Sequence, residues 1–254
     1  MNRRLFLGSL GMATCALGMG RRIPAKPKYI FLLIGDGMGE AQRMVADRYV
    51  RAKYPSREAG LAMDRLPAKG MTTTDEITGK VTDSAASGTA IACGAKTVNG
   101  AVGVKQDLKT TVRSIAFDAR DAGMRVGVVT SVPIDHATPA CFYAQVPKRN
   151  MYYEIDGQIP QSGFDYFAGE PLLGRKAAKK RPSPSRLLKD GGYRLVSDRP
   201  AFDALRAGDR KIVVEHPMGY AIDGDQAISL EGLTRKIGDF ARFRHAYPSS
   251  SFLP

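Results

Sequence analysis

The spacing of apolar and polar positions predicts alternating strands and helices along the first 150 residues. Continuous apolar runs bounded by glycine or turn residues are typical of strands buried on both faces. Stretches with helical spacing that close at a glycine indicate helices. In chain order, the pattern predicts strand Tyr29–Ile34, helix Glu40–Lys53, strand Lys69–Thr74, helix Ser84–Cys93, helix Thr111–Ala122 and strand Arg125–Ser131.

This alternation predicts an α/β fold with a doubly wound, mostly parallel sheet and helices on both faces. A chain of 254 residues is long enough for one such domain. We expect an export signal over residues 1–25 and a single domain over residues 28–254. The pattern weakens beyond residue 150, so residues 155–254 are poorly determined by it.

The amino terminus has the layout of an export signal. It carries the basic pair Arg3-Arg4, followed by a short apolar stretch rich in glycine and alanine. The run from Asn2 to Leu7 resembles a twin-arginine signal, which predicts a periplasmic or extracellular protein. A short buried helix is the alternative, and a lipid anchor at Cys15 is disfavoured by the residues before it. The stretch is too short for a good membrane span.

The formal net charge of +13 allows nucleic acid, anionic membranes or anionic small substrates as partners. Much of the excess lies in the first 30 residues and between Arg175 and Lys189, where a solvated surface loop is the simpler interpretation. Aromatic residues do not interleave with the basic run, which disfavours nucleic acid. After signal removal, Cys93 and Cys141 would remain, and we interpret both as core residues.

The first candidate site residue is Asp36. It directly follows the predicted first strand and lies between Gly35 and Gly37. Ligands of open α/β sheets bind at the carboxyl ends of strands, and a carboxylate there can bind a hard cation. A simple turn aspartate is the alternative interpretation.

Ser84 is the second candidate, because it falls at the predicted start of a helix. Free N–H groups and the positive end of the helix dipole favour an anion there. No histidine lies near Ser84 in the sequence, so a metal is the more natural activator of its hydroxyl. An N-cap formed by Thr82, Asp83 and Ser84 is the alternative.

The third candidate segment follows the predicted strand Arg125–Ser131. Asp135, His136 and Thr138 offer oxygen and nitrogen groups for a metal and its water shell. Arg149 could hold two phosphate oxygens with its planar guanidinium. A buried histidine and a surface salt bridge are the alternatives for His136 and Arg149. Three strand ends that carry such groups in one sheet predict a shared site.

Four segments resemble the alkaline phosphatases in order and spacing. They are GDGMG at 35–39, TDSAASGTA at 82–90, GAKTVNGAVGV at 94–104 and DHATPA at 135–140. The resemblance is strong over residues 28–150 and weak from there to about residue 215. It implies a metal-dependent phosphomonoesterase with zinc and magnesium as cofactors and a small phosphomonoester as substrate.

The resemblance also implies a role for each matched residue. Ser84 would be the nucleophile that becomes phosphoserine and binds a zinc ion. Asp36 would bridge that zinc and the magnesium ion. Thr138 would bind magnesium, and His136 would lie beside that site, where some family members have aspartate. Arg149 would bind the substrate phosphate, and Asp83 would hold Arg149 in place.

The match is incomplete in the second half of the chain. The family needs further Glu, Asp and His ligands there, whereas this chain has histidine only at positions 136, 216 and 245. We therefore expect a truncated chain, with a shift of reading frame near residue 237, and little or no turnover. A noncatalytic, exported protein that binds phosphate or metal is the alternative function. The sequence does not determine the oligomeric state, and a homodimer is one of the alternatives.

Overall fold

The computed structural model describes residues 27–55, 60–178, 180–217 and 228–242. The chain divides into a unit of residues 1–33 and a unit of residues 34–254. The predicted export signal lies outside the described residues. No helix in the described ranges is long and apolar enough to cross a membrane.

The larger unit alternates helices with parallel strands. Its elements are α1 (Glu40–Lys53), α2 (Ser84–Cys93), α3 (Ile115–Asp121), β1 (Gly127–Pro133), α4 (Ala137–Ala140), α5 (Tyr152–Asp156), α6 (Ile159–Ser162), β2 (Tyr166–Glu170), α7 (Pro184–Asp190), β3 (Arg194–Val196), α8 (Arg199–Asp203), β4 (Ile212–Glu215) and α9 (Leu230–Arg242). Single turns of 3₁₀ helix occupy Ala62–Arg65 and Leu173–Ala177.

The four described strands form one parallel sheet in the order β1-β2-β4-β3. Gly127 of β1 pairs with Tyr166 of β2, which in turn pairs with Ile212 of β4. Since all the strands run the same way, their carboxyl ends share one edge of the sheet. The segment that follows β1, which carries His136 and Thr138, therefore emerges at the edge where α/β folds place ligands.

Aromatic side chains fill the core between the sheet and the helices. Phe167 of β2 is fully buried and contacts Tyr143 edge-on, with ring centroids 5.2 Å apart. Phe164 stacks on Phe167 at 6.1 Å. The hydroxyl of Tyr143 donates to the carbonyl of Ile134 at 2.8 Å, so this core also fixes the chain directly after β1. Tyr143 thus combines a large buried area with a hydroxyl group that has its hydrogen-bond partner.

The predicted helices agree closely with the structure. Helices α1 and α2 have the predicted bounds, and Gly94 closes α2 with a positive φ of 66°. Helix α3 begins four residues later than predicted. Thr111 pairs with Val104 in an antiparallel bridge, and the N–H of Val112 donates to Gly103, so these residues cannot start a helix.

Two predicted strands are wrong. Tyr29–Ile34 and Lys69–Thr74 form no strand, and their large apolar side chains are exposed, Met71 completely. The four-stranded sheet includes neither segment. An apolar run becomes a buried strand only when a neighbouring strand supplies backbone partners and packing covers both of its faces. The sequence pattern shows which side chains are apolar, but it does not show whether a neighbouring strand is present.

The basic segment after residue 174 is more structured than a solvated loop. Arg175 forms an ion pair with Glu215, a carboxylate that is almost completely buried at the end of β4. Arg181 pairs with Glu154 at 2.8 Å. Ser183 caps helix α7 by accepting from the N–H of Arg186. Part of the positive charge is therefore neutralised within the fold.

Candidate active site

The amino terminus of α2 presents the serine at the predicted position. Asp83 is the N-cap, and its Oδ1 accepts from the N–H of Ala86 at 2.9 Å. Ser84 is therefore the first residue of the helix and is partly exposed. The same sequence thus serves as a cap and places a hydroxyl at the positive end of the helix dipole, so the two interpretations of this motif are compatible.

Asp36 lies between two hydroxyl groups. Its Oδ1 accepts from Ser84 Oγ at 3.2 Å, and its Oδ2 accepts from Thr138 Oγ1 at 2.6 Å. These residues are 48 and 102 positions from Asp36 in the chain. The fold therefore gathers three of the sequence-predicted residues within hydrogen-bond distance.

Asp83 and Arg149 form a second part of the site. Arg149 Nη1 donates to Asp83 Oδ2 at 3.0 Å, and the N–H of Gly100 donates to the same oxygen at 3.0 Å. Burial pushes the pKa of Asp83 upwards, but the hydrogen bonds from Ala86, Gly100 and Arg149 outweigh it, so the pKa lies below its usual value. Asp83 is thus ionised at neutral pH and holds the guanidinium beside the start of α2.

His136 links the two parts. Its Nε2 lies 3.3 Å from Arg149 Nη2. Because a guanidinium only donates, Nε2 must accept, which puts the ring proton on the buried Nδ1. Burial lowers the pKa of His136, the charge of Arg149 lowers it further, and Asp36 opposes both. His136 is therefore neutral at pH 7, the protonation state that a metal ligand needs.

Asp135 does not join this group. It is completely buried, and its Oδ2 accepts from the N–H of Gly174 at 2.9 Å. Asp156 is also completely buried. Burial raises the pKa of both carboxyl groups, and the neighbouring Asp135 raises that of Asp156 further. The pKa of Asp156 is raised to about 9, so Asp156 is protonated at neutral pH, which lowers the cost of burying the two acids side by side.

The side chains around Asp36 provide some of the ligands that a hard cation needs. One carboxylate and two hydroxyl oxygens suit magnesium, which prefers oxygen ligands. Zinc sites in proteins usually combine several nitrogen, sulfur or carboxylate ligands. In the part of the chain that the structure describes, no group of three or more His, Cys, Asp or Glu side chains could hold a metal ion. These residues therefore do not fit a complete zinc site.

The sequence profile of the alkaline phosphatase family matches residues 27–211. The chain belongs to the alkaline phosphatase family. The resemblance that the four segments carried is confirmed, and the fold-class prediction with it, because solved alkaline phosphatases share this fold.

Alkaline phosphatase relatives match most of this chain. Streptomycin-6-phosphate phosphatase of Streptomyces griseus is 32% identical over 214 residues, which cover 73% of this chain and 46% of that protein. Human tissue-nonspecific alkaline phosphatase is 31% identical over 196 residues, which cover 72% of this chain and 33% of that protein. The chain therefore spans less than half the length of these two relatives.

Solved alkaline phosphatases superimpose on the chain over a similar range. The enzyme from Thermus thermophilus has a TM-score of 0.70 at 28% identity and covers 83% of this chain and 46% of its own. The enzyme from the Antarctic bacterium TAB5 has the same TM-score and identity and covers 85% and 62%. A mutant of the TAB5 enzyme was solved with magnesium bound.

Sequence reasoning missed two residues that contact the site. Gly100 donates to Asp83, and Asn99 accepts from its N–H at 2.8 Å. Both lie in one of the four family segments, but that segment was assigned no role. The Asn-Gly dipeptide is a turn signal and could have indicated a tight approach of the backbone here.

Proposed function

We propose that the chain is a phosphomonoester hydrolase that acts through a phosphoserine intermediate on Ser84. The main support is the contact of Ser84 Oγ with Asp36 at the start of a helix whose cap also binds Arg149. The family supports the substrate class. The amino-terminal pattern supports an exported location.

The bound phosphate would lie over the start of α2. Free N–H groups and the helix dipole attract an anion there, and Arg149 can donate to two of its oxygens. Asp83 keeps the guanidinium in place while leaving its other N–H groups to the substrate. Arg149 would exchange its contact with His136 for one with the phosphate.

Ser84 Oγ would then attack phosphorus. The new bond is from Oγ to phosphorus, and the bond from phosphorus to the ester oxygen breaks, so this oxygen leaves and becomes the alcohol by taking a proton from solvent water. Asp36 Oδ1 accepts the hydrogen bond from Ser84 and is placed to hold its proton during the attack. Water would hydrolyse the phosphoserine and release phosphate, which restores the Ser84 hydroxyl.

Asp36 and Thr138 would hold a magnesium ion, and Ser84, which contacts the same Asp36 carboxylate, would bind the zinc ion. The charge of Asp36 also acts on His136, which would lie beside the magnesium site. A bound cation would lower the pKa of the attacking hydroxyl and stabilise the charge of the phosphate. Because the described residues provide an incomplete set of ligands for zinc, we expect slow turnover by this chain.

A noncatalytic phosphate-binding protein is the second candidate. The incomplete metal ligand set favours it, since phosphate binding by Arg149 and the helix terminus does not require a complete zinc site. Both candidates use Arg149, but only the hydrolase needs the hydroxyl of Ser84.

Phosphate release from a simple aryl phosphate, with magnesium and zinc added, distinguishes the candidates. The test compares the unmodified chain with Ser84→Ala and with Ser87→Ala. Ser87 is the matched control, because it lies one turn along α2 and its hydroxyl only donates to the backbone of Asp83. The hydrolase requires release that Ser84→Ala abolishes and Ser87→Ala retains. Release that survives in Ser84→Ala contradicts it.

A further inference from the structure

We infer that Thr89 and Asn99 are positioning residues that fix Arg149 relative to Ser84. This inference rests on the proposed function, because it assumes that Ser84 and Arg149 act on one phosphate. Thr89 contacts a segment that we call the linking segment, residues 99–103, and Asn99 is the first residue of that segment. It lies between helix α2 and the backbone that carries Arg149.

Thr89 attaches the linking segment to α2. It lies five residues after Ser84 and is completely buried. Its hydroxyl donates to the carbonyl of Ala101 at 3.2 Å and accepts from the N–H of Gly103 at 3.0 Å. A single side chain thus satisfies two backbone groups of the linking segment, and no apolar residue of the same shape could do so.

Asn99 attaches the same segment to the start of the helix. Its Oδ1 accepts from the N–H of Asp83 at 2.8 Å, and its Nδ2 donates to the carbonyl of Val81 at 2.9 Å. A tight turn follows, in which Gly100 has a φ of 85° that favours glycine. This turn directs the N–H of Gly100 to Asp83 Oδ2.

The other side of the linking segment holds Arg149. The carbonyl of Gly100 accepts from the N–H of Arg149 at 2.7 Å. Val102 and Val146 exchange two backbone hydrogen bonds of 3.0 and 2.9 Å in an antiparallel pair. The linking segment therefore joins the serine helix and the arginine backbone, and its contacts set the separation of the two functional groups.

The test measures the affinity of the full chain for inorganic phosphate by calorimetry, with magnesium and zinc present. Thr89→Val keeps the shape of the side chain but removes the hydroxyl, whereas Thr89→Ser keeps the hydroxyl. We expect about three- to tenfold weaker binding for Thr89→Val, the loss that corresponds to about one net hydrogen bond. Thr89→Ser should restore most of the affinity, which a purely steric role of Thr89 would not allow.

Asn99→Ala gives an independent measurement, since its exposed side chain is not needed for the core. The exposed amide Gln106 supplies the control Gln106→Ala. We expect weaker phosphate binding for Asn99→Ala and unchanged binding for Gln106→Ala. Equal affinity in Asn99→Ala and the unmodified chain would overturn the role of Asn99 even if Thr89→Val failed to fold.

A double-mutant cycle separates positioning from general damage. In an Arg149→Ala background, Thr89→Val and Asn99→Ala should cause no further loss, because the group that they position is gone. A full additional loss in that background would overturn the inference. If Arg149→Ala alone left the affinity unchanged, the proposed function would fail instead, since its phosphate-binding group would have no effect.

Discussion

Asp83 combines a helix cap with an ion pair, and two substitutions separate these contributions. Asp83→Ala removes the acceptor of three hydrogen bonds, from Ala86, Gly100 and Arg149. Loss of an N-cap costs about 1 kcal/mol. The ion pair adds at most about 1 kcal/mol, because the side chains of Asp83 and Arg149 are 26% and 30% exposed. We therefore expect Asp83→Ala to lower the free energy of unfolding by about 2 kcal/mol.

Asp83→Asn should cost less than Asp83→Ala, because an amide oxygen can still cap the helix. We expect a loss of about 0.5–1 kcal/mol, which is the part due to the ion pair. Thermal unfolding at neutral pH, without added metal, measures both variants. For a domain of this size, about 2 kcal/mol corresponds to a fall in Tm of roughly 4–8 °C.

Asp198 supplies the matched control. It caps the short helix α8 by accepting from the N–H of Ala201 at 2.8 Å. Asp198→Ala should therefore cost only the cap, and Asp198→Asn should cost very little. If Asp83→Asn destabilised the protein as much as Asp83→Ala, the cap would make no separate contribution, which would contradict this division.

Three further predictions concern groups outside the site. Burial raises the pKa of Asp156 above its ordinary value of 3.8, and the neighbouring Asp135 raises it further. Above pH 3.8 the chain therefore takes up a proton at Asp156 when it folds, and the free energy of unfolding falls as the pH rises. Asp156→Asn should therefore raise Tm by about 2–4 °C at pH 7 and by less near pH 4, and a lower Tm at pH 7 would contradict this. Hydrogen bonds from the following turn lower the pKa of Asp107 to about 2, so its contribution to stability is present above 3.8 and is lost as the pH falls through about 2. A carboxyl titration followed by NMR should show this low pKa, and a value near 3.8 would contradict it. Burial raises the pKa of Cys93 to about 11 and that of Cys141 to about 12. Iodoacetamide at pH 8 should therefore alkylate both thiols slowly in the native chain and quickly in the urea-unfolded chain. Equal alkylation rates in the two states would contradict the raised pKa values.

Local signals in the sequence were sufficient to predict helix α2, which carries Ser84, but not the short helix α4, which carries Thr138. Helix α2 is bounded by a capping aspartate and a glycine, and both signals act within a few residues. The assembly of Asp36, Ser84 and Thr138 followed from a rule about strand ends and from the family resemblance. The structure brings these side chains into contact, although the rule relied on a strand before Asp36 that does not form.

The rest depended on long-range contacts that a pattern cannot reveal. Tyr29–Ile34 has the composition of a buried strand, but no local signal shows whether a neighbouring strand exists. Asp135 looked like a metal ligand beside His136, whereas its side chain is buried against Gly174. Asn99 lies 16 residues from its partner Asp83, so only the folded chain shows that the two are in contact.

The most direct test of the central claim is to identify the phosphorylated residue. The full chain is incubated with an aryl phosphate and both metals, quenched in acid and mapped by peptide mass spectrometry. We expect one added phosphoryl group on the peptide that contains Ser84, and none in Ser84→Ala. A phosphoryl group on another residue, or an equal level of modification in Ser84→Ala, would contradict it.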